Sequence, residues 1–124
     1  MTYFNCSGQK GSKMEIDHRL ENEILIIAIN GRLDAATSPV AEETIKKAME
    51  GEENRLLFDF SNLEYLSSGG LRVILGAAKE IRRREGKVVL AALKPYVFEI
   101  FEVSGFTAMI PIKDSVAEGL KELS

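Results

Sequence analysis

Ser67-Ser68-Gly69-Gly70 gathers the hydroxyl chemistry of this chain into one place. The segment follows the apolar run Phe58-Asp59-Phe60 and the polar turn from Ser61 to Leu66, and it opens a long amphipathic pattern. Serine oxygens at a helix mouth have three uses. One is to cap, accepting a bond from a free backbone amide, worth about 0.5–2 kcal/mol. Another is nucleophilic attack, which needs a nearby base. The third is to stand exposed as the acceptor of a modifying group whose negative charge suits the helix field. A cap explains one serine. It does not explain a second serine with two following glycines, which surrender backbone order without adding packing and leave the hydroxyls unshielded. On the residues alone, both pure capping and a partner-read serine stay open.

Other chemistries lack their parts. His18 is the only histidine and falls in an expected edge strand, so no His dyad, His-rich metal centre or base for Ser68 is assembled. Gly-x-Ser-x-Gly is absent, as are the phosphate-loop and dinucleotide-binding glycine patterns. Cys6 is the sole cysteine, which excludes an internal disulfide and a Cys-based metal site. The carboxylates are scattered as surface or turn groups. No catalysis, cofactor or metal is therefore expected. Lys79, Arg82, Arg83, Arg84 and Lys87, interspersed with Glu80 and Glu85, put cations near a helix C-terminus, where the backbone field favours them. A partner- or RNA-contacting patch is the alternative. A net charge of −3 argues against nonspecific binding to nucleic acid or anionic membrane. The start shows no signal-peptide pattern and no apolar run is long enough to span a bilayer, so a cytoplasmic protein without membrane association is expected.

At 124 residues, 45% hydrophobic and 28% charged, the chain has the length and composition of one soluble domain with an ordinary core. Residues 1–13 lack any period and are expected to form a flexible leader, with the domain spanning 14–124. Met14 to Leu20 alternates as an edge strand. Ile24 to Ile29 is continuously apolar, as in a central strand covered on both faces. Gly31-Arg32-Leu33-Asp34 closes that strand, and Thr37 or Ser38 before Pro39 starts a helix that stops near Gly51. Arg55–Phe60 is the next strand. Leu71, Ile74, Leu75, Ala78 and Ile81 fall at helical spacing to about Arg84. Lys87–Ala92 is a buried strand, Pro95 opens a short helix, Met109–Ile112 is a brief edge strand, and Val116, Leu120 and Leu123 mark a last helix. The order β-β-α-β-α-β-α-β-α predicts an α/β fold: a mostly parallel sheet of four to five strands, an N-terminal β-hairpin and four helices.

From about Met14 onward the chain resembles the STAS domain, the anti-sigma factor antagonist family. The resemblance is carried by Gly31-Arg32-Leu33-Asp34, by the run from Asp59 through Ser67-Ser68-Gly69-Gly70 to Leu75, by Gly86–Leu90, and by the segment Val97–Phe106. It implies a small non-enzymatic domain of the partner-switching type. The unphosphorylated form would sequester a serine-kinase anti-sigma factor with a GHKL-type ATPase fold. That kinase would phosphorylate the domain, and a PP2C-type phosphatase would restore it. Carried over by position, the acceptor is Ser68, and the partner-binding surface comprises Asp34, Asp59, Asn62, Ser67, Ser68, Gly69, Gly70 and Arg72. The best-known family pattern has Asp where Ser67 stands here; a Ser-Ser-x-Gly form is also common. The alternative implied function is a STAS-type interaction module for a different signalling partner.

Overall fold

A computed structural model describes residues 4–5 and 14–124 of the chain. In order, it runs β1 (Phe4–Asn5), β2 (Met14–Glu21), β3 (Ile24–Leu33), α1 (Ser38–Ala48), β4 (Arg55–Asp59), β5 (Leu63–Leu66) and α2 (Ser68–Arg83). It continues with β6 (Lys87–Ala91), α3 (Pro95–Val103), a 3-10 turn at Phe106–Ala108, β7 (Ile112–Lys113) and α4 (Val116–Leu123). Most of the expected leader lies outside the described residues; Phe4 and Asn5 pair antiparallel with His18 and Asp17.

β2 and β3 form the expected antiparallel hairpin, with Ile16 opposite Ile29 and Leu20 opposite Leu25. Its turn places Asn22 at φ 51° and Glu23 at φ 65°. Two consecutive positive φ angles are the primed-turn geometry whose twist matches that of the flanking strands. Beyond the hairpin the sheet is parallel, in the order β1-β2-β3-β4-β6-β7.

β3 explains why the sheet is larger than expected. Its first half, Leu25 to Ala28, pairs with β4, and its last residues, Gly31 to Leu33, pair with β5. The chain therefore turns after Asp59 and returns alongside the same strand. β5 and β1 raise the sheet to seven strands. β7 falls later than the expected Met109–Ile112 because Phe106 to Ala108 winds into the 3-10 turn. Pro111, which has no N–H, contributes only its carbonyl, accepting the Leu90 amide at 3.0 Å.

The apolar run in β3 serves both faces of the sheet. Leu25, Ile27, Ile29 and Leu33 join Phe58, Phe60, Ile74, Ile81, Val97 and Phe101 in the larger core, under α1, α2 and α3. Ile24 and Ile26 face the other way, with Leu57, Val89, Ala91 and Leu123, under α4. Phe60 stacks between Phe58 and Phe101, with ring centroids 5.4 and 6.3 Å away, which fixes α3 against the strand that leads into the serine loop. Among the described residues no helix is long and apolar enough to cross a membrane.

Candidate functional site

The serine loop is built where two helix starts meet the end of β3. At this end β3 kinks: Gly31 takes φ 90°, a conformation reserved in practice for glycine, and the register with β5 shifts between Gly31 and Arg32. The Gly31 amide donates to the Asn62 carbonyl at 2.8 Å, so the exposed Asn62 turn is tied to the same point. Arg32, paired across the sheet with Tyr65, lies over that ring at 4.4 Å from its centroid. Its guanidinium also approaches the Asp34 carboxylate at 3.9 Å.

Asp34 organises the following loop. One carboxylate oxygen accepts the amides of Ala36 and Thr37, both at 3.0 Å. The Thr37 hydroxyl accepts the Asp34 amide at 2.9 Å and donates to the Arg32 carbonyl at 2.9 Å. The Thr37 amide is the largest influence holding the Asp34 carboxyl below its ordinary range, helped by the Thr37 hydroxyl, the Ala36 amide and Arg32. Ser38 then begins α1, with both its amide and its hydroxyl donating to the Asp34 carbonyl, at 2.9 and 2.6 Å. Of the two candidate helix starters, Thr37 occupies the cap position without capping by its side chain. Its hydroxyl is committed to the loop instead. The Asp34-x-x-Thr37 spacing was the available sequence signal for this closed turn.

α2 starts at Ser68, directly after the Ser67 cap, so the serines stand at the helix mouth as expected and both glycines lie in its first turn. The reason for glycine at position 70 is steric. A Cβ on Gly70 would stand 2.7 Å from both the Leu33 carbonyl oxygen and Leu33 Cγ, and 2.9 Å from Leu66 Cδ1. Only a residue without a side chain lets the helix rest on the end of β3, and the Ser67 amide fastens the approach by donating to the Leu33 carbonyl at 2.9 Å. A Cβ on Gly69 would lie 3.5 Å from Ser38 Oγ and 3.7 Å from Ser67 Oγ, so the starts of α1 and α2 adjoin here.

The two serines differ in position and in bonding. Ser67 is extended, at φ −91° and ψ 172°, and its hydroxyl accepts the Gly70 amide at 3.1 Å, an N-cap. Ser68 is the first helical residue and is exposed. Gly70 and Leu71 donate to Ser67, whereas the amides of Ser68 and Gly69 take part in none of the loop and cap bonds among the described residues. They are the free donors of the helix start. Arg72 is exposed one turn further along α2.

Asp59, at the end of β4, accepts the Ser61 amide at 3.0 Å and the Ser61 hydroxyl at 2.7 Å. It holds the turn that leads into β5. Thus Asp34 and Asp59 are both turn-forming carboxylates, Asn62 anchors by its backbone, and Ser68 and Arg72 project from α2. Among the described residues no group of three or more His, Cys, Asp or Glu side chains is placed to hold a metal ion.

The fold and this loop define a class: a small α/β domain whose mixed sheet presents a serine at the start of its longest helix. The STAS domain family model matches residues 15–119, and the chain belongs to that family, in its partner-switching, anti-sigma factor antagonist branch. It is 38% identical over 92 residues to the Bordetella bronchiseptica protein BtrV, covering 74% of this chain and 79% of that one. It is 32% identical over 105 residues to the anti-sigma-B factor antagonist of Listeria monocytogenes, covering 85% and 91%. Its fold superposes on the phosphorylated form of the Bacillus cell fate determinant SpoIIAA with a TM-score of 0.70 at 19% identity, covering 88% of this chain and 99% of that one.

Proposed function

We propose that this chain acts in the cytoplasm as an anti-sigma factor antagonist that sequesters a GHKL-type serine-kinase anti-sigma factor while Ser68 is unphosphorylated. The observation that carries this reading is the division between adjacent hydroxyls. Ser67 is occupied by the Gly70 amide, whereas Ser68 stands exposed at the first position of α2. The phosphorylated form of SpoIIAA shows that a protein of this fold takes phosphate. In the proposed step the Ser68 oxygen forms a bond to the γ-phosphorus of ATP held by the kinase. The bond between that phosphorus and the β,γ-bridging oxygen breaks, ADP leaves, and the hydroxyl proton passes to a base on the kinase. A PP2C-type phosphatase reverses the state by hydrolysis, returning serine and inorganic phosphate.

The added group carries about −1.5 to −2 charges near neutral pH. It sits beside free helix-start amides, so the domain tolerates it. A docked partner does not: burying a dianion against a surface shaped for a neutral hydroxyl costs desolvation and repels nearby carboxylates. Asp34, Asp59 and Asn62 contribute by shaping the loops around Ser68, while Ser67, Gly69 and Gly70 set its presentation and Arg72 contributes charge. Incubation with the kinase and ATP, followed by mass spectrometric site mapping, tests the assignment. Phosphate on Ser68 that disappears in Ser68→Ala supports it; phosphate unaffected by that substitution refutes it.

A further inference from the structure

The arginines of this domain differ in one respect that bears on the switch. Arg19 pairs with Glu21, Arg32 with Asp34 and Tyr65, and Arg83 and Arg84 both with Glu80. Arg55, exposed and outside these pairs, lies at the start of β4, the strand end opposite the serine loop. Arg82 donates to the Met109 carbonyl at 3.3 Å. Arg72 is exposed on α2, belongs to none of the ion pairs or hydrogen bonds among the described residues, and stands four residues after Ser68.

That spacing is the one at which two helical side chains meet, with Cβ atoms about 5–6 Å apart. The direction is also favourable. Helical side chains lean toward the N-terminus, so a long residue at this position covers the turn that holds Ser68. An anion one turn N-terminal to a cation is the more stabilising order of the pair. Of the three residues between them, Gly69 and Gly70 carry no side chain and Leu71 packs against the larger core.

From this geometry we infer that Arg72 is the residue that holds the phosphoryl group on Ser68. Its guanidinium fork closes on two phosphate oxygens from the C-terminal side, complementing the free amides of Ser68 and Gly69. Arg72 also lines a groove of about 290 Å³ between α2 and the 3-10 turn, together with Leu75, Lys79, Phe106 and Met109. Closing on the phosphate withdraws this cation from the rim of that groove. Modification then changes the partner-facing surface twice, by adding an anion and by removing a free cation. This inference rests on Ser68 being the acceptor, as proposed above.

The test installs phosphoserine at position 68 during translation by genetic code expansion, so that no kinase is needed. Phosphorus-31 NMR then follows the second ionisation of the phosphate, ordinarily near pH 6. Arg72→Gln is expected to raise that midpoint by about half a pH unit relative to the otherwise unaltered phosphoprotein, the size of an exposed charge pair. The helix start acts equally on both proteins, so the difference isolates Arg72. Lys79→Gln, two further turns along the helix, is expected to leave the midpoint in place. Equal midpoints with and without Arg72, or an equal shift from Lys79→Gln, would overturn the inference. Site mapping after kinase treatment is independent of this titration, so failure of the acceptor assignment and failure of the arginine contact are told apart.

Discussion

The Ser67 hydroxyl accepts the Gly70 amide at 3.1 Å, whereas Ser68, the next residue and the proposed acceptor, is exposed. Removing the cap tests that separation. Ser67→Ala is expected to lower unfolding free energy by about 0.5–2 kcal/mol in chemical denaturation, the usual value of an N-cap. Ser67→Asp restores a capping oxygen and should recover most of the loss. In both variants the phosphate acquired from the kinase should still map to Ser68. Migration of the modification to position 67 in Ser67→Thr would show that the capping bond does not decide between the hydroxyls.

Two adjacent glycines should respond in opposite directions to alanine. At Gly70 the new methyl would meet the Leu33 backbone at 2.7 Å, so the start of α2 must lift from β3. Overpacking of this kind costs about 1–3 kcal/mol. At Gly69 the nearest atom is Ser38 Oγ at 3.5 Å, an ordinary contact, and alanine gains about 0.5–1 kcal/mol of helix preference. Thermal unfolding should therefore show Gly70→Ala well below the parent and Gly69→Ala at or above it. Equal destabilisation of both would contradict the packing of α2 on Leu33.

Arg84 locks the far end of α2 to the far end of α1. Its guanidinium donates to the carbonyls of Met49, Gly51 and Glu53 at 2.7, 3.1 and 2.8 Å. Arg84→Met keeps much of the side-chain volume and removes the donors. It is expected to destabilise by about 1–3 kcal/mol, with water replacing part of the lost bonding. Arg83→Met loses only its exposed pair with Glu80 and is expected to change stability by less than about 0.5 kcal/mol. Denaturation midpoints of the two variants give the comparison.

The same corner has an acid signature. Hydrogen bonds from Arg83, then Arg84, hold the Glu80 carboxyl down from its ordinary 4.5 to about 2. The folded value lies below the unfolded one, so Glu80 adds stability in full above pH 4.5 and loses it as the pH falls toward 2. Glu80→Gln removes that dependence. The stability difference between parent and variant should be constant from pH 7 to about 5 and shrink below it. A difference that stays constant down to pH 2 would show that the pairs do not depress this carboxyl.

Much of this architecture is legible in the residues because hydrophobic period dominates. The β2–β3 hairpin, the three helices against the larger core and the final helix all follow from apolar spacing. β5 is not legible: Leu63-Glu64-Tyr65-Leu66 is short, buries only its ends and has no alternation to mark it as a strand. It exists because the turn held by Asp59 and Ser61 delivers it to the exposed end of β3, a tertiary effect. The serines at the start of α2 are legible, but the need for glycine beside them is not: position 70 lacks a side chain because Leu33 and Leu66 leave no space for one, which only the packed structure reveals. At the site, residue types single out Ser67 and Ser68, and the family resemblance adds Asp34. The bonding of Thr37 across the loop and the stacking of Arg32 on Tyr65 depend on the kink at Gly31, which no local pattern announces.

One phosphate on Ser68 is expected to release the partner without unfolding the domain. The direct measurement is calorimetric affinity of the purified GHKL-type anti-sigma factor from the source organism for this chain, with serine and with phosphoserine at position 68. Circular dichroism melts of both forms accompany it. Tight binding by the serine form, at least about tenfold weaker binding by the phosphoserine form (about 1.4 kcal/mol) and melting midpoints within a few degrees are the expected result. Equal affinities for the two forms would overturn the proposed switch.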